Sequence, residues 1–315
     1  MFVSLHGGEN PTEDLQSCAA LQLSQDRQML NDRIKGKKSP NSHEPEKSMS
    51  NIRICVAGAT GWAGSALARG IVEAPDLELV AAISRSNAGR ILGDVLQIQG
   101  LTAPIFGTTP EALQIKPDVF VEYTKPEVAK SNILSALRSR AHVVVGTSGL
   151  SDDEYEEIDA VAREVQRGVL AVGNFALTAV LLQKFAEIAA RYIPHWEIID
   201  YAHSDKKDVP SGTVLQLANR LSKVREAQLD VPLDEVQGPK ESRGTRLQGS
   251  QVHSVRLPGY VISVDAIFGM PDQKLILRHE SGTSAEPYVN GALLAIRKVG
   301  TLVGLHRGLD RVMEF

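Results

Sequence analysis

The stretch "VAGATGWAG", Val56–Gly64, decides how this chain folds. A short apolar run, "IRICVAG", leads into it, and "SALARGIVEA", with apolar residues at helical spacing, leads out. Gly58, Gly61 and Gly64 therefore stand between a buried strand and a helix as G-x-x-G-x-x-G, a variant of the dinucleotide fingerprint. Gly58 permits the tight turn, Gly61 lets the backbone approach a pyrophosphate, and Gly64 lets the helix pack closely on the sheet. The helix N-terminus adds free N–H groups and a partial positive charge.

Beyond that turn, strands and helices alternate. "LELVAAIS", "PDVFVEYT", "HVVVGTSG" and "GVLAVGNFA" are near-continuous apolar runs, as strands covered on both faces should be. "NILSALRSR" and "SDDEYEEIDAVAREVQ" read as helices between them, the latter with Ser151 and Glu154 at capping-box spacing. Alternation of this kind predicts a parallel sheet covered by helices, a Rossmann-like α/β domain over residues 49–175. After Ala176 the texture changes. "LTAVLLQKFAEIAARY" and "GTVLQLANRLSKV" are helical, and 227–249 is polar and glycine-containing, which predicts a loop. "HWEIIDYAH" comes earlier, and then "QVHSVRLPG", "YVISVDAIFG" and "QKLILRHES" follow in quick succession. These predict an α+β second domain, 176–286, with a mostly antiparallel sheet. "PYVNGALLAIRKVGTL" closes as a helix, expected over 287–315.

Composition narrows the class. The 315 residues suit two domains, and 43% hydrophobic with 23% charged is ordinary for a globular chain. A net charge of −4 argues against nucleic acid as the main partner. No apolar run approaches the roughly 20 residues of a membrane span. Cys18 and Cys55 are the only cysteines, so a reducing, cytoplasmic setting is expected, with no metal site. Residues 1–48 include "NDRIKGKKSPNSHEPEKS", polar and aperiodic. We expect a disordered, dispensable extension, better suited by a start at Met49.

Three further strand ends carry small polar residues or a cation where ligands of open parallel sheets bind. "ISRSN" ends the second strand with no carboxylate for a ribose; Arg85 either meets a 2′-phosphate or is a solvated loop cation. This favours NADPH, with NADH also compatible. Gly146, Thr147 and Ser148, and then Gly173, Asn174 and Phe175, suit a nicotinamide or are simple turns.

A second constellation is "DYAHSDKKDVPSGT", Asp200–Thr213. His203, Lys206 and Lys207 precede Pro210 and a helix start at which Ser211 is a plausible N-cap. The N–H groups of Gly212 and Thr213 would form an anion cradle beside a lysine, suiting a small dicarboxylic acid. Asp208 can orient Lys206, and His203 can switch protonation near neutral pH. His253 and Arg256 in "QVHSVRLPG" face either the ligand or the outer side of the sheet.

From about Ile52 to Phe315 the chain resembles the 4-hydroxy-tetrahydrodipicolinate reductase (dihydrodipicolinate reductase) family. "VAGATGWAG", "YTKPE", "VVVGTSG", "VGNFA", "EIIDYAHSDKKDVPSGT", "VHSVRLPG" and "VNGALLAI" carry the resemblance. It implies hydride transfer from NAD(P)H to a cyclic dicarboxylic substrate in lysine and diaminopimelate synthesis, by a homotetramer built through the second domain's sheet, with the last helix returning to the first domain. It places the proton donor on Lys206, a substrate contact on His203, and carboxylate binding on Ser211, Gly212 and Thr213. Nucleotide contacts fall on Gly58, Ala59, Thr60, Gly61, Trp62, Ala63, Arg85, Gly146–Ser148 and Gly173–Phe175. The family signature, E-[IV]-x-E-x-H-x-x-x-K-x-D-x-P-S-G-T-A, is met except at Asp200 for Glu, Val214 for Ala, and Ala202 for the acid/base His. The last change leaves three expectations open: an active reductase in which Lys206, with His203 or a water, is the catalytic proton source, a reductase of a related carboxylated cyclic imine or enamine, or a nucleotide-binding paralogue with little catalysis.

Overall fold

Alternate residues of the first strand, β1 (Ile52–Ala57), face opposite layers of apolar side chains. Ile54 and Val56 pack with α1 (Trp62–Glu73), whereas Cys55 and Ala57 belong to the core on the other face. A strand buried on both sides must be apolar throughout, which is why this run shows no polar alternation. The computed structural model describes residues 51–315; the expected extension and Cys18 lie outside them. Cys55 is buried and free.

Chain order continues with β2 (Leu77–Ile83), α2 (Leu92–Leu96), β3 (Ile105–Phe106), α3 (Thr109–Ala112), β4 (Val119–Glu122), α4 (Pro126–Arg138), β5 (His142–Val145), α5 (Asp152–Glu164) and β6 (Gly168–Ala171). The sheet order is β3-β2-β1-β4-β5-β6, extended at the β6 edge by β12 (Gly304–Arg307), and every pair is parallel. Strand order therefore reverses between β1 and β4, which opens a crevice at their C-terminal ends. The capping box at Ser151 is present: Glu154 N–H donates to Ser151 Oγ at 3.2 Å, and Ser151 N–H donates to the Glu154 carboxylate at 2.9 Å.

A second sheet follows α6 (Leu177–Tyr192). Its strands are β7 (His195–Ala202), β8 (Thr245–Leu247), β9 (Ser250–Arg256), β10 (Ile262–Met270) and β11 (Gln273–Ser281), ordered β11-β10-β7-β9-β8. Between β7 and β8 lies α7 (Gly212–Ser222). The sheet is mixed and mostly antiparallel, because β7 and β9 pair in parallel. That parallel pair needs a long crossover, and α7 with the 227–249 segment supplies it. The segment is not all loop: Lys240–Arg243 is a 3₁₀ turn and β8 begins at Thr245. Trp196, Ile198, Asp200 and Ala202 of β7 are buried, while His195, Glu197, Ile199 and Tyr201 are partly exposed on the opposite face.

The closing helix, α8 (Glu286–Lys298), is shorter than expected. Beyond it the chain makes a 3₁₀ turn and then enters β12 through Gly304, whose φ of +81° no helix allows. Helix α8 packs on α1, so the end of the chain completes the first layer. Arg220 of α7 pairs with Glu187 of α6 at 2.5 Å and with Asp310 at 2.8 Å, which ties both helices to the segment after β12. No helix among the described residues is long and apolar enough to cross a membrane.

Candidate active site

The crevice between β1 and β4 is shaped by glycines that nothing larger could replace. Gly58 has φ +81°, and a Cβ there would lie 2.4 Å from the Tyr123 carbonyl oxygen. A Cβ on Gly64 would lie 2.1 Å from the Gly58 carbonyl oxygen. Gly61 caps α1, with its N–H donating to the Gly58 carbonyl at 3.0 Å. No side chain caps this helix and no acidic residue lies in its first turn, so the N–H groups around Trp62 and Ala63 are free to meet an anion. These features fit a dinucleotide pyrophosphate. Thr60 Oγ1 lies 2.9 Å from Ser84 Oγ, joining the glycine turn to the end of β2. Next to Ser84, Arg85 opens a 3₁₀ turn and is exposed.

A cleft of about 620 Å³ lies beside this turn. It gathers Ala63, the strand ends Gly146–Ser148 and Gly173–Phe175, and, from the second sheet's side, Lys206 and Ser211–Thr213. The predicted nicotinamide-side and acid-side residues thus share one space. A Cβ on Gly212 would meet nothing within 4 Å, so open volume stands in front of the α7 N-terminus. Gly146 instead lies against the Tyr123 ring, where a Cβ would sit 2.2 Å from a ring carbon. Among the described residues no cluster of His, Cys, Asp and Glu could hold a metal ion.

The acid side is held by a residue whose role the sequence did not reveal. Asp200 is fully buried on β7. Its carboxylate accepts Ser211 N–H at 2.7 Å, Ser211 Oγ–H at 2.8 Å and an Arg256 N–H at 2.7 Å. Arg256 also donates to the Asp208 carbonyl at 2.8 Å. Ser211 does occupy the N-cap position of α7, but its hydroxyl is spent on Asp200 and not on the helix. The helix N–H groups behind it remain available to a ligand. Lys206 Nζ lies 2.8 Å from Asp208 Oδ1, and this bond holds the Asp208 carboxyl below its ordinary range.

Other predicted residues fall elsewhere. His203 has a half-exposed side chain whose Nδ1 lies 2.6 Å from Asp205 Oδ1, and it does not line the cleft. Ala202 is 1% exposed at the end of β7, opposite Arg256 in register. His253 bonds Glu197 at 2.7 Å on the outer face of the sheet, beside a separate cavity of about 920 Å³, whereas Arg256 turns inward to Asp200. Gln216, one turn into α7, also lines the cleft, with its carbonyl accepting from buried Gln183 at 3.1 Å. Spacing from Gly212 at i,i+4 was the available signal for it.

Residues 52–175 match the family model described as "Dihydrodipicolinate reductase, N-terminus", and residues 178–313 match "Dihydrodipicolinate reductase, C-terminus". The 4-hydroxy-tetrahydrodipicolinate reductase of Listeria monocytogenes serotype 4b (strain CLIP80459) is 35% identical over 264 residues, covering 84% of this chain and 100% of the relative. That of Lactococcus lactis subsp. cremoris (strain MG1363) is 38% identical over 266 residues, covering 84% and 99%. A solved structure, the dipicolinate-bound dihydrodipicolinate reductase from Paenisporosarcina sp. TG-14, superposes with a TM-score of 0.75 at 30% identity, over 84% of this chain and all of that one. The chain belongs to the dihydrodipicolinate reductase family and is an NAD(P)H-dependent oxidoreductase.

Proposed function

We propose that this reductase acts on the dehydrated form of (2S,4S)-4-hydroxy-2,3,4,5-tetrahydrodipicolinate, giving tetrahydrodipicolinate for lysine and diaminopimelate synthesis in the cytoplasm. The observation that carries the proposal is the single cleft holding Gly146–Ser148 and Gly173–Phe175 opposite Lys206 and Ser211–Thr213. A nicotinamide nucleotide would supply the hydride. Its pyrophosphate would rest on Gly58–Ala63, and Arg85 beside Ser84 supports NADPH over NADH.

On the acid side, the Gly212 and Thr213 N–H groups bind one substrate carboxylate at the positive end of α7, steadied by the Ser211–Asp200 contact. Lys206, placed by Asp208, donates the proton that accompanies reduction. His203 reaches the substrate only if its ring leaves Asp205, to which it is bonded at 2.6 Å. We assign residues 49–175, with the C-terminal helix, to the nucleotide domain and 176–286 to a domain that binds substrate and builds a homotetramer through the outer face of its sheet.

Ala202 supports a second reading, reduction of a related cyclic imine or enamine bearing carboxylates. This buried position has no titratable group, and the neighbouring His203 is half-exposed and bonded to Asp205. Purified protein is given freshly generated dihydrodipicolinate or other cyclic imino acids, with NADPH or NADH, and nucleotide oxidation is followed. Turnover of dihydrodipicolinate at about 1–10³ s⁻¹ supports the first reading. Turnover confined to another cyclic imino acid replaces it with the second. Tight nucleotide binding without any turnover removes both.

A further inference from the structure

Glu122 ends β4, the strand beside the switch point, and is fully buried, yet it touches neither solvent nor the cleft. Its carboxylate is surrounded by donors. Oε1 accepts the Thr124 N–H at 2.7 Å and the Thr124 hydroxyl, and it shares the Thr147 hydroxyl, at 3.3 Å, with the Glu122 main-chain carbonyl, at 3.2 Å. Oε2 accepts the Asn132 side-chain amide at 2.9 Å. Asn132 is fixed in turn, because its carbonyl accepts the Thr109 hydroxyl at 2.6 Å. Thr124 and Thr147 line the cleft; Asn132 and Thr109 do not.

An apolar side chain would satisfy the core at this position, and burial of the carboxyl pushes its protonation equilibrium upward against the pull of the donors. A buried carboxylate that ties two cleft loops to one strand end sets the position of those loops. We propose that Glu122 is a positioning residue for the nicotinamide half of the cleft, holding Thr124 and Thr147 in the geometry that receives the ring and its carboxamide. The assignment rests on the nucleotide reading given above.

Glutamine cannot replace it quietly. With its amide nitrogen at the Oε1 site, a donor faces the Thr124 N–H, which cannot accept, and both threonine hydroxyls must turn from donors to acceptors. With the nitrogen at the Oε2 site, it faces the Asn132 amide, and a partner is regained only if Asn132 flips and the Thr109 hydroxyl turns from donor to acceptor. Either orientation rearranges the hydrogen bonds that hold Thr124 and Thr147.

The test uses the full chain and measures the dissociation constants of NADPH and of 2′-phospho-ADP-ribose, which lacks nicotinamide, together with kcat and the melting temperature. Glu122→Gln should weaken NADPH about ten- to a hundredfold, the loss expected for one charge-assisted hydrogen bond. It should leave 2′-phospho-ADP-ribose within about twofold of wild type. Asn132→Ala, which reaches no ligand itself, should weaken NADPH in the same selective way and combine with Glu122→Gln less than additively. It carries the test alone if Glu122→Gln does not fold. Equal weakening of both ligands, or unchanged NADPH affinity in both variants, overturns the assignment while leaving the nucleotide reading intact. Failure of the wild-type protein to bind either ligand overturns that reading and the assignment with it.

Discussion

Replacing Arg256 by Met should remove the one cationic partner that the buried Asp200 carboxylate has among the described residues. Asp200 is fully buried and has three donors, two from Ser211 and one from Arg256. With the guanidinium gone, two neutral donors remain to hold a buried negative charge. Breaking such a pair typically costs about 3–5 kcal/mol. For a folded body of this size that corresponds to a melting temperature lower by roughly 6–20 °C. The same change frees the Asp208 carbonyl, so the Lys206–Asp208 segment and the start of α7 lose their anchor. We therefore expect a raised KM for the cyclic dicarboxylate with an unchanged NADPH dissociation constant.

The double variant Asp200→Asn/Arg256→Met discriminates causes. A neutral Asn carries no buried charge and can still accept from Ser211, so the double should melt above the Arg256→Met single. Thermal unfolding by circular dichroism, beside steady-state kinetics, reads both effects. A double variant less stable than the single, or an Arg256→Met protein with wild-type melting, would refute the reasoning.

Gly64→Ala should lower the melting temperature and weaken NADPH together, because its Cβ meets the Gly58 carbonyl at 2.1 Å and overpacking of that kind costs about 1–3 kcal/mol. Unchanged melting in a thermal scan would contradict the close approach. Lys206→Ala should lower kcat by about 10²–10⁴ while fluorescence titration shows nearly unchanged NADPH affinity; full activity removes Lys206 from proton transfer. His142 accepts the Gly168 N–H on Nδ1 at 2.9 Å, and burial first, then the Arg167 charge, depress its pKa below 6.5 against the pull of Asp118. A base with a depressed folded pKa contributes stability above its unfolded value, and that stability is lost as pH falls through the folded value. Melting temperature should fall as pH drops below 6.5, less steeply in His142→Asn, and equal slopes for the two proteins would exclude this histidine.

The fold was legible where backbone constraints act locally. Gly58 and Gly64 announce a strand–turn–helix because only glycine tolerates those contacts, and the doubly covered strands lack polar alternation for the same reason that they are buried. Lys206 and Gly212 were legible because a lysine before a helix start is a local pattern. The support behind them was not. Asp200 and Ser211 are eleven residues apart and Arg256 lies 56 beyond Asp200, so their meeting depends on the pairing of β7 with β9. That pairing also proved parallel, since succession in sequence does not reveal that β9 returns after a crossover. Glu122 looked like an ordinary strand end, because its donors come from three different segments. The His203 ring is bonded to Asp205, a choice of partner that residue type alone does not fix.

The placement of β12 beside β6 has a consequence for how the molecule comes into being. The pairing joins Gly168–Ala171 to Gly304–Arg307, so the strand that covers this sheet edge is made only after the whole second sheet. During synthesis the β6 edge stands as a row of open hydrogen-bonding groups, and the face later covered by α8 stays bare. The first sheet gains its last edge strand only after the second has been made. Chains stopped before residue 304 should therefore present a sticky strand edge.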